Sequence, residues 1–277
     1  MKAAPFDYIA ARTVADASAA LASGGATTAA IAGGQSLLPM LNLRVALPDL
    51  VVDLGGLDEL KEASVSQSAV RIGALTTHAA IEDGLFAEEF GGLLQKVAAK
   101  ISYRAVRNHG TIGGSVALAD PAADWPGCLM ALGASVHISG LQGVRSEPVH
   151  SFIQGQYQTS LASDEVITGF DLPRPTAALR WGVFKVARKS GAFANSIAFA
   201  VSQGQGGPIA VVLAAATSRP QMLLKVSEKL KAGPVADEAL RAVVAEEVAS
   251  LVPREDGYLM RLHVSTVMRA VQEMQSK

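Results

Sequence analysis

Two paired-glycine loops constrain this chain more than any other feature. The first is Ala32-Gly33-Gly34-Gln35-Ser36, which follows a short apolar run, Ala29 to Ala32, that reads as a strand. The second is Asn108-His109-Gly110-Thr111-Ile112-Gly113-Gly114-Ser115, with the same grammar of apolar residue, paired glycines and a small hydroxyl residue. Adjacent glycines let backbone N–H groups turn toward one point and let a ligand come close. Gln35 and Ser36 add neutral donors. This chemistry suits phosphate oxygens, although a plain tight turn would account for either loop alone. Two such loops can clamp a diphosphate from both sides, and an aspartate of Asp120-Pro121-Ala122-Ala123-Asp124-Trp125-Pro126 can accept bonds from sugar hydroxyls. Neither loop is GxGxxG, and neither carries the lysine of GxxxxGKS/T, so a Rossmann fold or a P-loop is poorly supported. The pair points to a nucleotide or dinucleotide and leaves open which.

Composition narrows the class. Lys plus Arg is 24 and Asp plus Glu is 25, a formal net charge of −1 that argues against a nucleic-acid or basic membrane-surface partner. With 49% hydrophobic and 18% charged residues, the 277-residue chain is not globally disordered. The same oiliness suggests surface hidden against a partner. Cys128 is the only cysteine, so the chain cannot make an internal disulfide or hold a four-cysteine iron–sulfur cluster. His78, His109, His137, His150 and His263 include no i, i+4 pair, and no common metal site is expected. The N-terminus lacks a signal-peptide pattern, and the oiliest segment, Ile209 to Thr217, is too short to span a bilayer. A soluble, cytoplasmic protein is expected.

Periodicity supplies the elements. Thr13 is placed to cap a helix whose Val14, Ala17, Ser18 and Leu21 share a face and which Gly24-Gly25 ends. With a strand at Leu50 to Leu54 this fills an N-terminal lobe. Lys61 to Val65 and Ala69 to Leu75 read as strands around Ser66-Gln67-Ser68, and Thr76 or Thr77 caps a helix carrying His78 and Ile81. Leu85 to Ala99 reads as a helix interrupted at Gly91-Gly92, Asn108 to Gly127 as a long Gly- and Pro-rich passage, and Ala134 to Ile138 and Glu165 to Phe170 as strands. Pro173 and Pro175 mark a boundary. Beyond it come a strand at Arg180 to Ala187 and a hairpin of Ser196 to Ser202 with Ile209 to Ala216 around the turn Gln203 to Pro208. One helix is striped by Leu240, Val243, Val244, Val248 and Leu251, and a last by Val264, Val267, Met268, Val271 and Met274. Strands and helices are grouped rather than alternated, which favours α+β over a doubly wound sheet.

Six segments then acquire a common meaning. They are AGGQSLLPMLNLR (Ala32 to Arg44), LPDLVVDL (Leu47 to Leu54), IGALTTH (Ile72 to His78), VRNHGTIGGSVALADPAADWP (Val106 to Pro126), DEVITGFDLPRP (Asp164 to Pro175) and FKVARK (Phe184 to Lys189). In this order and over nearly the whole chain, they resemble the FAD-binding medium subunit of the molybdenum hydroxylases, the xanthine dehydrogenase and carbon monoxide dehydrogenase family. The resemblance implies a two-lobed FAD-binding domain of the PCMH, or vanillyl-alcohol-oxidase, type at 1–176, with lobes at about 1–56 and 57–176. A small α+β C-terminal domain at 177–277 follows. It implies a cofactor site of Ala32, Gly33, Gly34, Gln35 and Ser36 together with His109, Thr111, Ile112, Gly113, Gly114 and Ser115, the two loops resting on the FAD pyrophosphate. Asp124 is similar to the acid that meets ribityl or sugar hydroxyls, and Ile167 and Lys185 fall where family members touch the isoalloxazine ring. There Lys185 can stabilise negative charge on the reduced flavin, the alternative being a solvated strand lysine. Ser115 stands where the family often has Asn, Leu118 where His is common, and no acid occurs near Ala192.

Other residues have structural explanations. His78 reads as a helix-face histidine, Cys128 as buried and inert, and Trp125 as packing beneath the second loop or against flavin. Arg104 and Arg107 can meet phosphate, a partner, or each form a structural salt bridge. Function follows from the resemblance: a subunit of a heterotrimeric dehydrogenase, expected as a dimer of heterotrimers. A small partner would carry two [2Fe–2S] clusters and a large partner the molybdopterin cofactor and the hydroxylation site. FAD in this chain would relay electrons to an external acceptor. No catalytic residue is assigned here, and the substrate belongs to another chain. A self-sufficient FAD-dependent oxidoreductase and a non-catalytic nucleotide-binding assembly protein are the alternatives.

Overall fold

Thr13 opens the first helix as its position suggests: its Oγ1 accepts from the Asp16 N–H at 3.0 Å, and Val14, Ala17, Ser18 and Leu21 of helix Val14–Ser23 are buried. The computed structural model describes residues 2–23, 27–175, 177–204, 207–233, 235–253 and 256–277, so the expected stop at Gly24-Gly25 lies outside the described residues. The helix connects two strands, Asp7–Ala10 and Thr28–Ile31, that flank Leu50–Asp53 in a three-stranded parallel sheet. Strand Asp7–Ala10 was not expected. It is an edge strand with every residue exposed, so it carries no burial alternation to read. Val52, Leu54, Leu57 and Leu60 join Ala17 and Leu21 in a small core that reaches Leu75 and Val166 of the next lobe.

The second lobe is built on a five-stranded antiparallel sheet ordered Ala63–Val65, Ala69–Gly73, Val166–Pro173, Ser135–Gly140, Gly143–Pro148. The last of these, Gly-Val-Arg-Ser-Glu-Pro, is a largely exposed edge without an apolar face, and the sequence gives no sign of it. The expected helix Leu85 to Ala99 shrinks to Leu93–Ala98. Phe86, Gly91 and Gly92 take φ of +65°, +53° and +80°, which no α-helix accommodates. Conversely, the Gly- and Pro-rich passage holds two helices, Ile112–Leu118 and Asp124–Ala131. Their glycines depress helix propensity but serve packing. A Cβ on Gly113 would stand 2.6 Å from Ala74 Cβ, and one on Gly127 2.7 Å from Phe199 Cε2. Pro126 sits in a first turn, where its missing N–H is harmless.

Beyond Pro175, strands Arg180–Val186, Ser196–Ser202, Ile209–Ala214 and Gln221–Met222 form an antiparallel sheet. Positions 205 and 206 of the expected hairpin turn lie outside the described residues. Every residue of Ser196–Ser202 is buried, because the sheet is covered on both faces. Trp181, Val183, Phe199 and Val212 share a core with Trp125 and Leu129 of the second lobe. Ala198, Ala200, Val211 and Leu213 pack against helices Leu224–Lys231, Asp237–Ala249 and Gly257–Gln275. The main core therefore crosses the Pro173–Pro175 connection, and this continuity fixes helix Asp124–Ala131 against the strand that carries Lys185. Helix Gly257–Gln275 lies so close to the sheet that a Cβ on Gly182 would stand 1.9 Å from the Ala270 carbonyl oxygen. Gly182→Ala is expected to cost about 3 kcal/mol in urea denaturation of the full chain. Gly56→Ala, with its nearest neighbour 3.9 Å away, is expected to change stability by less than about 0.5 kcal/mol.

Candidate functional site

The first glycine loop leaves strand Thr28–Ile31 and turns at Gly34, whose φ is +69°. It then enters the short helix Leu37–Asn42. Gln35 closes the turn locally, its Nε2 donating to the Gly33 carbonyl at 3.0 Å. The backbone N–H groups of Gly33, Gly34, Gln35 and Ser36 have no hydrogen-bond acceptor among the described residues. Four successive open donors lining a cleft form the kind of concavity that binds an anion.

The second loop differs. It is stitched to the segment before His78. The His78 N–H donates to Gly110 O at 2.9 Å, the Ile112 N–H to Thr76 O at 3.0 Å and the Gly113 N–H to Ala74 O at 2.9 Å. Thr111 caps helix Ile112–Leu118, its Oγ1 accepting from the Gly114 N–H at 3.0 Å. The shared sequence grammar thus hides two roles. The first loop keeps its donors free, whereas the second spends most of its own on fold and presents a bare glycine surface with the Ser115 hydroxyl. The loops meet backbone to backbone, since a Cβ on Gly33 would stand 1.9 Å from His109 O.

Between the loops and the C-terminal sheet lies a cleft of about 660 Å³. It is lined by Ala32, Gly33, Gly34, Gln35, Ser36, Thr111, Gly113, Gly114, Ser115, Asp124, Ile167 and Lys185. Two expected residues do not line it. The His109 side chain is exposed and contributes its carbonyl oxygen to the loop contact. Ile112 is fully buried in the core beneath the loop. Ile167 reaches the cleft next to a β-bulge, where the pairing to Ser135–Gly140 skips from Ile167 to Gly169. The bulge bends the strand and re-aims its side chains.

Asp124 and Lys185 form the most buried ion pair of the chain's described residues. Each side chain is 5% exposed, and Lys185 Nζ stands 2.8 Å from Asp124 Oδ2. Lys185 also donates to the Lys100 carbonyl at 3.3 Å. It is not a solvated strand lysine. Burial pushes the Asp124 carboxyl above its ordinary range, and the Lys185 ammonium pulls the other way without cancelling it. Asp124 Oδ1 is buried without a partner. Such an orphaned acceptor is costly unless a ligand donor completes it.

Sequence reasoning missed part of the wall. His78 lines the cleft although only 5% exposed, and its Nδ1 accepts from the fully buried Trp125 Nε1–H at 3.0 Å. Burial first, then the nearby Arg107 charge, lowers its pKa to about 4, so the ring is neutral at pH 7. Tyr103 and Phe193 also line the cleft and are exposed, and Leu118, already singled out for standing where the family commonly has His, lines it too. The signal for His78 was its place at the end of the IGALTTH segment, whose Ala74 to His78 the second loop clasps. Tyr103 and Phe193 gave none. Arg104 and Arg107 form salt bridges with Glu82 and Asp83. Cys128 is fully buried, and burial raises its thiol pKa. Among the described residues no group of three His, Cys, Asp or Glu could hold a metal ion, and no helix is long and apolar enough to cross a membrane.

Lys185→Met should expose the cost of burying Asp124. Without the ammonium its pKa rises further above the unfolded value of 3.8. The folded state then binds the extra proton, so stability falls as pH rises through the interval between the two values. The expected loss is about 3 kcal/mol at pH 7.5 and clearly less at pH 5, measured by urea denaturation. Adding Asp124→Asn should recover part of it.

A turn with open N–H donors and an unsatisfied carboxylate on the wall of one largely apolar cleft fit a dinucleotide cofactor, and comparison with known proteins agrees. A family model described as the FAD binding domain in molybdopterin dehydrogenase matches residues 4–175. The nicotine 6-hydroxylase medium subunit of Paenarthrobacter nicotinovorans is 32% identical over 250 residues, 88% of this chain and 86% of that one. The carbon monoxide dehydrogenase medium chain of Afipia carboxidovorans is 32% identical over 256 residues, 91% of this chain and 88% of that one. A structure of carbon monoxide dehydrogenase from Hydrogenophaga pseudoflava, lacking the Mo-pyranopterin moiety of its cofactor, superposes with a TM-score of 0.94 at 30% identity. It covers 100% of this chain and 99% of its counterpart. Quinoline 2-oxidoreductase from Pseudomonas putida 86 gives 0.90 at 30% identity, covering 100% and 99%. The chain belongs to the FAD-binding medium subunits of the molybdenum hydroxylases, with their two-lobed PCMH-type fold.

Proposed function

We propose that this chain is the flavin relay of a heterotrimer, assembled as a dimer of heterotrimers in the cytoplasm. Its partners are a small subunit with two [2Fe–2S] clusters and a large subunit with the molybdopterin cofactor, and it serves an external electron acceptor. The observation that carries this reading is that four residues with open N–H donors line the same cleft as the Asp124–Lys185 pair. With a single cysteine, the chain cannot ligate a four-cysteine cluster, so the iron–sulfur centres fall to a partner. The exposed Leu43, Val45 and Leu47 follow the cleft-lining helix and supply apolar surface for such a partner.

FAD, when bound, exchanges electrons singly or in pairs, and that chemistry is the cofactor's own. The protein's work is placement. The Gly33–Ser36 N–H groups hold the pyrophosphate, and the bare glycines of the second loop let it approach. Asp124 Oδ1 accepts from a hydroxyl, and Lys185 puts a positive charge beside the site where reduction adds negative charge. Ile167 and Leu118 exclude water. The FAD-binding unit is 1–176, which agrees with the match ending at 175, and 177–277 is a C-terminal domain that walls the cleft with Lys185. The relatives' names span nicotine, carbon monoxide and quinoline, as expected if substrate choice resides in the large subunit.

The test is purification of the native complex. Iron and molybdenum should accompany the tagged chain, with flavin absorption reduced by the complex's substrate. Flavin-dependent turnover of a small substrate by the chain alone would instead identify a self-sufficient oxidoreductase, and a complex with iron and molybdenum that releases no flavin on denaturation would contradict the flavin role. Gly34→Val, which forces a β-branched residue to φ +69° against Leu38, should weaken FAD binding at least about 100-fold in a fluorescence titration.

A further inference from the structure

We propose that His78 is a cofactor-binding residue, its neutral imidazole locked by Trp125 so that Nε2–H donates to an acceptor atom of the bound dinucleotide beside Gly110. The inference rests on the FAD reading above. Tryptophan Nε1 is a donor only. Its 3.0 Å bond to His78 therefore requires an unprotonated Nδ1. A neutral imidazole with Nδ1 unprotonated carries its hydrogen on Nε2. Nε2–H finds no acceptor among the described residues, although His78 is only 5% exposed and lines the cleft.

Position adds a second argument. A Cβ on Gly110 would stand 3.0 Å from both Cδ2 and Nε2 of His78, so the donor edge lies directly beneath the second loop. The ring cannot turn over without breaking the Trp125 bond. It cannot withdraw either, because the His78 N–H is bonded to Gly110 O at 2.9 Å. A donor on a nearly buried ring, held on two sides and left without an acceptor among the described residues, is preorganised for a ligand acceptor. It also compensates for the second loop, whose backbone donors are largely spent on the fold.

Two substitutions separate the two ring nitrogens. His78→Asn places its Oδ1 where Nδ1 accepts from Trp125 and removes the Nε2–H. His78→Gln keeps an N–H near the Nε2 position and gives up the bond from Trp125. In FAD titrations of the flavin-free full chain, His78→Asn should raise the dissociation constant about tenfold while leaving the melting temperature of the flavin-free protein unchanged. His78→Gln should stay within about threefold of the wild type. In the wild type, with ¹⁵N-labelled histidine, the His78 Nε2–H resonance should be that of a neutral ring at pH 7 and should shift on adding FAD. Wild-type affinity in a folded His78→Asn, or a wild-type resonance indifferent to FAD, overturns the proposal. If His78→Asn fails to fold, the wild-type resonance decides alone. A wild-type chain that binds no FAD would instead overturn the flavin reading itself.

Discussion

The approach of Gly33 to the His109 carbonyl governs the site. At this point two lobes touch through backbone alone, with no room for a single methyl group. Contact at that range fixes the direction in which the following N–H groups face, and it sets the open turn of one lobe beside the glycine surface of the other. A side chain at Gly33 would hold the lobes apart and move four donors away from the second loop together. Because phosphate recognition by backbone N–H depends on several donors converging, a small separation loses them as a group.

The remaining wall is arranged on rigid elements. Helix Asp124–Ala131 is clamped to the C-terminal sheet at Gly127 and Phe199, and its first residue is thereby delivered to Lys185. Its second residue, Trp125, orders His78. One helix start thus sets both a charged and a neutral polar group. Neither arrangement is economical for folding. Burying an ion pair costs desolvation that the mutual attraction rarely exceeds, and Asp124 keeps an unbonded oxygen besides. Polar groups left incomplete in an otherwise apolar cleft are explained by a ligand that completes them.

Much of this was legible in the residues. The first helix, with its cap and buried face, follows from Thr13 and the spacing of Val14, Ala17, Ser18 and Leu21. The glycine loops do line the cleft that their pairing implies, and the resemblance named the family. What stayed hidden has physical reasons. Helices Ile112–Leu118 and Asp124–Ala131 are rich in glycine and proline, residues selected for close packing against Ala74 and Phe199 over helix propensity. Edge strands Asp7–Ala10 and Gly143–Pro148 have no buried face to pattern. The two loops read alike, yet which donors remain free depends on the neighbouring Ala74–His78 segment, and no local pattern reports that. Trp125 and His78 are 47 positions apart, so their bond is visible only after folding.

The most direct test is the FAD dissociation constant of the full chain carrying Gly33→Ala. If backbone contact between the loops builds the site, one added methyl group should weaken FAD binding at least about 100-fold while the far helices keep their circular dichroism. Wild-type affinity in that variant would show that the loops need not touch, and the account of the cleft would fail.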